Sequence, residues 1–326
     1  MFEQESSLIQ RELDINIEVL SSLGYLFKSQ NDVSRAQFKK FVNGSLNKYQ
    51  SIQALEWIPK VSDSQRRTYE ENAAKDLNLD FKIKSKNDKG QMVSSVSKKE
   101  YFPVYYVEPL LGNLKAVGFD LSSSATRLKS LNESRKSKKS AATARIKLIQ
   151  EKGQQFGFLV FLPVWNDIEE RDLKGFALGV YRIGDMLTTA LKDVKRQSLL
   201  LDIWLIDSTA ATREKEESTE DQLLYTNTKY KTVNKDALSS NIFIEGRTWT
   251  LYAKPSAEFL RKNESSLPLI SFMSTFLIIL LVGYILSLKI LRAKELEKMV
   301  KEKTKDLEIS YHKIEVFNNT LQEKVE

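Results

Sequence analysis

The stretch that decides the architecture is LPLISFMSTFLIILLVGYILSL, residues Leu267 to Leu288. It contains no charged side chain, and a helix of this length rises about 33 Å, enough to cross a hydrocarbon core of roughly 30 Å. The alternative is a buried helix of a large soluble domain, but such helices rarely run for about six turns without a charge. The sequence therefore predicts one transmembrane helix at 267–288.

The charges that flank this stretch predict its orientation. Before it, Arg261 and Lys262 are balanced by Glu258 and Glu264. After it come basic residues in close succession: Lys289, Arg292, Lys294, Lys298, Lys301, Lys303 and Lys305. By the positive-inside rule, residues after 288 are cytoplasmic and residues before 267 are extracytoplasmic or periplasmic, in the inner (cytoplasmic) membrane. Because Met1 leads directly into the polar stretch FEQESSLIQRELD, we expect a native first membrane anchor that this chain lacks.

Composition limits the chemistry that the chain can carry. The 326 residues contain no cysteine and one histidine, which excludes disulfides, thiol nucleophiles and Cys- or His-rich metal sites. Much of the net charge of +7 lies beside the membrane helix, where anionic lipid headgroups are the expected partner and nucleic acid is not. No P-loop or dinucleotide-binding motif is present, so no cofactor is expected.

The lone histidine, His312, is a poor candidate for a phosphoacceptor. Such histidines usually precede an acidic residue and a following arginine and proline, whereas the sequence here is YHKIEVFNN. We therefore predict that this chain has no catalytic residue and is not itself an enzyme.

The first 49 residues predict two helices. Apolar residues from Ser7 to Phe27 recur at steps of three and four, as on one face of an amphipathic helix. This helix fits either a stalk that forms a dimer seam or a helix that packs on its own domain. Ser34 is a candidate N-cap for the second helix.

Two sets of short strand signals follow. The first set, in a unit at 50–168, comprises 52–58, 81–84, 101–107, 114–119, 143–149 and 158–164, with helices at 63–77 and 122–134. The second set, in a smaller unit at 169–260, comprises strands at 175–181, 199–207, 223–226, 241–245 and 248–253, with a helix at 184–194. The mixture predicts an α+β fold.

The region 289–326 predicts a cytoplasmic signalling helix. Val300, Leu307, Ile314 and Leu321 recur every seven residues, the spacing of one seam position in a left-handed coiled coil. The other seam position is weaker, so the helix fits either a parallel dimeric coiled coil or a solvated connector.

Several stretches carry a family resemblance. They are ALEWIPKVSDSQRRTYE, YFPVYYVEPL, VGFDLSSSATR, and GFLVFLPVW followed by LKGFALGVYRIGDML. Together they resemble the CHASE sensory domain, found outside the cytoplasm in plant cytokinin-receptor kinases and in bacterial histidine kinases and nucleotide cyclases. The resemblance implies a long N-terminal helix followed by two tandem PAS-like subdomains, the membrane-distal one (50–168) binding the ligand and the membrane-proximal one being 169–260.

The resemblance also suggests ligand-binding residues. Asp120 matches the cytokinin-receptor aspartate that binds an adenine-type ring, although it fits equally a cap of the following helix. Thr143 and Arg145 match the opposite pocket wall. Because the plant receptors carry proline at the Arg145 position, an anionic ligand becomes an alternative to an adenine-like one, unless Arg145 points to solvent. Tyr101 and Tyr105 share one face of a predicted strand, which either lines the pocket or belongs to the core.

Our first functional hypothesis is the input half of a dimeric receptor histidine kinase, a sensor that transmits small-molecule binding across the membrane. The homodimer would form through the N-terminal helix, the transmembrane helix and the coiled coil. The alternative output is a diguanylate or nucleotide cyclase. A membrane-anchored adhesion or scaffold protein is the rival of a different class.

Overall fold

The computed structural model describes residues 2–78, 80–148, 155–192, 201–215, 219–233, 236–262 and 265–322. It forms two bodies, one reaching to Leu260 and the other starting at Arg261. The helices are α1 (Phe2–Ser29), α2 (Arg35–Lys48), α3 (Arg66–Leu77), α4 (Ala125–Ser137), α5 (Ile183–Ala190), α6 (Ser208–Arg213), α7 (Thr219–Gln222), α8 (Ala257–Lys262) and α9 (Leu267–Gln322).

The strands build two main antiparallel sheets. They are β1 (Ile52–Pro59), β2 (Val61–Ser62), β3 (Lys84–Lys86), β4 (Met92–Ser94), β5 (Glu100–Tyr101), β6 (Tyr106–Glu108), β7 (Ala141–Ala142), β8 (Gly157–Trp165), β9 (Leu173–Arg182), β10 (Leu201–Asp207), β11 (Leu223–Thr226), β12 (Leu238–Ile244) and β13 (Arg247–Pro255). The first sheet has the order β6-β1-β9-β8-β7 and the second β11-β10-β13-β12. The pairs β2–β5 and β3–β4 form two small ribbons. The mixed α and β architecture that the sequence predicts is confirmed.

The first sheet is covered on both faces, which explains why its central strands are almost continuously apolar. Leu55 and Trp57 of β1 face the core that contains α1, whereas Ala54 and Ile58 face a second core on the other side. Because side chains alternate along a strand, Glu56 also points into this second core. A charged residue thus occupies an inward position at the middle of the sheet.

Helix α1 packs along both sheets. Its buried residues include Ile9, Leu13, Leu20, Leu23 and Phe27. Near its start, the Gln10 side chain bonds to the backbone N–H and carbonyl of Phe243 in β12, at 2.8 and 2.9 Å. Near its end, the ring of Phe27 stacks on Trp57 with centroids 3.8 Å apart. The predicted amphipathic face therefore packs on the helix's own domain.

Helix α2 starts where the sequence predicts. The side chain of Ser34 accepts a hydrogen bond from the Gln37 N–H, and the Gln37 side chain accepts one from the Ser34 N–H, which forms a capping box. In the second sheet, Glu245 and Gly246 form the turn between β12 and β13, both with positive φ.

Some strand predictions are wrong. The stretch 101–107 is not one strand: β5 pairs with β2 and β6 pairs with β1, and Pro103 between them cannot donate to a sheet ladder. The stretch 114–119 starts with a 3₁₀ turn at Leu114–Ala116. Gly118 has a φ of +80°, and a Cβ there would lie 2.4 Å from the Lys82 carbonyl oxygen. This backbone conformation favours glycine and interrupts a strand.

Two further predictions need correction. Of 143–149, only Ile146 joins the ladder, through a bridge to Gly157, while strand β7 is Ala141–Ala142; residue 149 lies outside the described ranges. Strand β9, assigned from sequence to the second unit, pairs with β1 and β8 in the first sheet. The predicted boundary between the units 50–168 and 169–260 falls in the connection between β8 and β9.

Helix α9 forms the second body. It is continuous over its 56 residues and includes the predicted membrane stretch. Within the described residues, it is the one helix long and apolar enough to cross a membrane, with a mean hydropathy of 2.5 in its most apolar window. Val300, Leu307 and Ile314 are exposed on this helix, so its pairing in a coiled coil stays a prediction.

Candidate functional site

A small cavity lies on the face of the first sheet that is turned away from α1. Its volume is about 20 Å³, which is room for about one water molecule. Six of its lining residues are aliphatic: Val104, Ala116, Leu121, Leu148, Leu159 and Val180. The other two are Glu56 and Arg127, so two opposite charges face an otherwise apolar space.

Glu56 supplies the negative group from the middle of β1. Its side chain is 3% exposed, and no hydrogen bond to it is found within the described ranges. Burial raises the pKa of Glu56 to about 8, and the Arg127 guanidinium acts in the opposite direction. The raised pKa shows that the carboxylate form lacks the partners that a buried charge needs.

Arg127 supplies the positive group from the first turn of α4. Its Nη1 donates to the Ser124 Oγ at 3.2 Å, and its Cζ lies 5.5 Å from the centre of the Phe119 ring. Nε has no hydrogen-bond partner in the described part of the chain. Burial lowers the pKa of Arg127 to about 10, while Glu56 acts to raise it. The start of a helix also disfavours a cation, so the position suits an anion beside Arg127.

Asp120, the leading candidate from sequence, lies next to the cavity residue Leu121 and is itself fully buried. Its Oδ1 accepts hydrogen bonds from the Ser122 N–H and Oγ, at 3.2 and 2.7 Å, and from the Phe102 N–H at 3.0 Å. Its Oδ2 forms an ion pair with Lys98. The bonds to Ser122 are those of a cap on the 3₁₀ turn that follows, and a ligand role for Asp120 stays a prediction.

Tyr101 and Tyr105 do not share a strand. The Tyr101 hydroxyl donates to Asp63 Oδ1 at 2.6 Å, and this bond is the main reason that the pKa of Asp63 falls below its usual value. Tyr105 stacks on Tyr106 with ring centroids 4.4 Å apart, and its hydroxyl donates to Asp76 at 3.1 Å. Both hydroxyls are engaged by protein groups, and neither ring lines the cavity.

Thr143 and Arg145 have structural contacts of different kinds. Thr143 donates its N–H to the Leu159 carbonyl at 2.9 Å and accepts the Leu159 N–H on Oγ1 at 3.0 Å, which closes the sheet edge behind the cavity. Arg145 donates to the carbonyls of Leu223 and Glu220, at 2.6 and 3.0 Å. Its guanidinium therefore contacts the start of β11, away from the cavity.

The structure thus does not bring the five predicted residues to one site, and the two charged residues that line the cavity, Glu56 and Arg127, were not among the candidates from sequence. A signal for Glu56 was present, because IQALEWI is an apolar strand with one charge at an inward position. Within the described ranges, no group of three or more His, Cys, Asp or Glu side chains is placed to hold a metal ion.

A second charged cluster connects α4 with the second sheet. Arg247 has a fully buried side chain, and its Nη2 lies 2.6 Å from Asp207 Oδ2 and 2.8 Å from Glu214 Oε2. From α4, Lys129 lies 3.6 Å from Glu214, and Glu133 pairs with Arg213. The helix that starts at the cavity therefore makes ionic contacts with the end of α6, and Glu214 in turn binds Arg247 of the second sheet.

Comparison with known proteins gives a family match over most of the first body. A family model described as the CHASE domain matches residues 31–225. Two relatives come from Dictyostelium discoideum. The hybrid signal transduction histidine kinase A is 23% identical over 289 residues, which are 80% of this chain and 13% of the relative. The germination-specific adenylate cyclase is 25% identical over 178 residues, which are 50% of this chain and 20% of the relative. The chain thus spans only a small part of both relatives.

Solved structures with similarity include two sensory proteins. The periplasmic sensory domain of the Campylobacter jejuni chemoreceptor Tlp1 aligns with a TM-score of 0.46 and 11% identity, covering 81% of this chain and 93% of that one. An extracellular ligand binding receptor from Desulfohalobium retbaense aligns with a TM-score of 0.44 and 11% identity, covering 77% of this chain and 38% of that one.

Proposed function

Because the chain belongs to the CHASE domain family, we propose that its extracytoplasmic sensory domain binds a small molecule between Glu56 and Arg127. The signal then passes through the membrane stretch of α9 into the helix that follows it. The whole protein is a receptor histidine kinase in this proposal, with a nucleotide cyclase as the alternative, since the two relatives are one of each.

The observation that carries this proposal is the pair of opposite charges that face one apolar cavity. Burial of a charge without a partner is costly, and a carboxylate and a guanidinium with shifted pKa values in a concave site are typical of a binding site. No direct ion pair joins Glu56 to Arg127 within the described residues. A ligand with complementary groups would supply the partners that both charges lack.

The charged contacts of α4 offer a route from the cavity to the second sheet. Arg127 faces the cavity at the start of the helix, and Lys129 and Glu133 contact residues of the second sheet region. A ligand that attracts Arg127 would favour one position of α4 over another, and these ionic contacts would shift with it. The two sheets would act as the two PAS-like subdomains of the sensor.

The proposed partners of the chain, besides the ligand, are membrane lipid and a second copy of the chain. The basic residues after 288 would face the cytoplasm and contact anionic lipid. The dimer would form through α1 and through both parts of α9. Tyr25 and Phe41, which are 71% and 44% exposed, offer apolar surface for such contacts near the end of α1.

The test uses the chain of residues 1–326 in lipid nanodiscs. All four tryptophans lie in the first body, so their fluorescence reports the melting of the sensory domain alone. We expect at least one compound in a library of nucleobases, amines, organic acids and amino acids to raise the melting temperature, and the rise to be reduced in Glu56→Gln. If no compound in the library raises the melting temperature, the result would favour the alternative of a membrane-anchored adhesion or scaffold protein.

Orientation is tested separately in the whole protein in cells. Residues 1–326 contain no cysteine, so once any cysteine elsewhere in the whole protein has been replaced by serine, a single Leu111→Cys substitution on the exposed surface of the first body can be labelled without background. We expect a membrane-impermeant maleimide to label Leu111→Cys from outside and to leave Glu302→Cys unlabelled. Labelling of both sites in intact cells would contradict the proposed topology.

A further inference from the structure

We propose that the cavity selects a small ligand that carries both an amino group and a carboxylate, with the amine at Glu56 and the carboxylate at Arg127 and the start of α4. This inference rests on the proposed sensory function and names its ligand class. It follows from the presence of one buried carboxylate and one guanidinium among the lining residues of a single, otherwise aliphatic cavity.

The amine site is the Glu56 side chain. It is one charged group in a wall of aliphatic residues, and it has no hydrogen-bond partner within the described part of the chain. A protonated amine offers three N–H donors and a positive charge, so it satisfies this carboxylate better than a neutral or anionic group does. The aliphatic surroundings strengthen the attraction because they exclude water.

The carboxylate site combines Arg127 with the start of α4. The Ser124 side chain makes no capping hydrogen bond to this 13-residue helix, and its Oγ accepts a hydrogen bond from Arg127. The first backbone N–H groups of a helix have no partner within the helix, and the helix dipole favours an anion there. Arg127 Nε also has no partner in the described ranges. A carboxylate would satisfy both kinds of donor.

The size of the cavity limits the ligand to a few heavy atoms. A space of about 20 Å³ is far below the 300–1,000 Å³ typical of pockets for drug-sized ligands. Even a small amino acid requires side chains such as Leu121 and Leu148 to move outward. A ring of adenine size requires a much larger displacement, so the cavity favours a compact ligand.

Proton release gives a signature of the amine contact. Burial raises the pKa of Glu56 to about 8, so near neutral pH the group is mostly protonated. An ammonium beside it favours the carboxylate, and binding then releases a proton. Arg127 is the one other charged residue among those lining the cavity. Calorimetry in buffers of different ionisation enthalpy measures the number of protons released.

The experiment measures binding of glycine, L-alanine and β-alanine to the chain of residues 1–326 in nanodiscs, near neutral pH. Acetate and ethylammonium serve as ligands with only one of the two groups. The variants are Glu56→Gln and Arg127→Met. The matched control is Glu108→Gln, which removes a buried carboxylate from the adjacent strand β6. Circular dichroism verifies that each variant is folded.

We expect at least one amino acid to bind with proton release, and acetate and ethylammonium to bind at least tenfold more weakly. Glu56→Gln and Arg127→Met should each weaken binding about tenfold or more, and Glu108→Gln should not change it. Affinity that survives Glu56→Gln overturns the inference, as does the absence of binding by every amino acid. If another compound from the wider library then binds, the ligand class is wrong while the sensory function stands. If none binds, both fail.

Discussion

Replacing Glu56 by glutamine should make the sensory domain more stable at high pH. The pKa of Glu56 rises from its ordinary value of 4.5 to about 8 in the folded protein, so the folded state holds a proton that the unfolded state has lost between these two values. Stability therefore falls as pH rises through this window. At 1.36 kcal/mol for each pH unit, the cost of the ionised group above pH 8 is roughly 5 kcal/mol. Glutamine keeps the shape of the protonated acid and avoids this cost.

The difference in stability between Glu56→Gln and the parent chain can be measured in nanodiscs by thermal melts followed by tryptophan fluorescence. All four tryptophans belong to the first body, so the signal reports the sensory domain. Between about pH 6 and pH 9, Glu56→Gln should gain roughly 3 kcal/mol over the parent chain. At about 2–4 °C for each kcal/mol, the gap between the two melting temperatures should widen by roughly 6–12 °C. Groups that titrate in both proteins cancel in the difference. If the difference in melting temperature between the two proteins stays constant from about pH 6 to pH 9, the inference that burial raises the pKa of Glu56 is refuted.

Four other substitutions and one control test the packing, each by chemical denaturation of the sensory domain. Arg247→Met leaves two carboxylates without their buried partner and should cost about 3–5 kcal/mol, whereas the exposed control Arg171→Met should cost less than about 1 kcal/mol. Phe27→Ala removes the ring stacked on the first sheet and should cost about 3–5 kcal/mol. Gly175→Ala would place a Cβ 2.4 Å from a β1 carbonyl oxygen and should cost about 1–3 kcal/mol. Gly44→Ala, in the open interior of α2, should instead stabilise by about 0.5–1 kcal/mol. Equal effects of the two glycine substitutions would contradict the described packing.

Elements with a strong local signal could be predicted from sequence. The apolar period of α1, the capping box at Ser34 and the largely apolar runs of β1 and β8 are each determined by residues that are close together in the sequence. The membrane stretch of α9 belongs to the same class, because a charge-free helix is a property of composition. These elements could be predicted without knowing which residues pack against them.

Elements that depend on distant partners could not be predicted in this way. Tyr101 and Tyr106 belong to different sheets because Pro103 separates their ladders, and β9 joins β1 across more than a hundred residues of chain. The contacts of the candidate site residues also depend on distant partners. Asp120 looks functional in sequence, but its partners Lys98 and Phe102 come from another segment, whereas Glu56 lacks such partners.

The two helices that cover opposite faces of the first sheet, α1 and α4, make contacts of different kinds. On the opposite face of β1, Trp57 meets Phe27 of α1 through flat, stacked rings, a contact of dispersion forces that allows small sliding without loss of charge pairing. On the cavity face, α4 is tied to Arg213 and Glu214 by ionic contacts that depend on the direction and distance of a few atoms. A shift of α4 therefore changes the position of charged groups next to the second sheet, whereas the described contacts of α1 with that sheet, such as Gln10 with Phe243, are hydrogen bonds between neutral groups. For this reason we expect the ligand signal to travel along α4, with α1 as the frame against which the movement occurs.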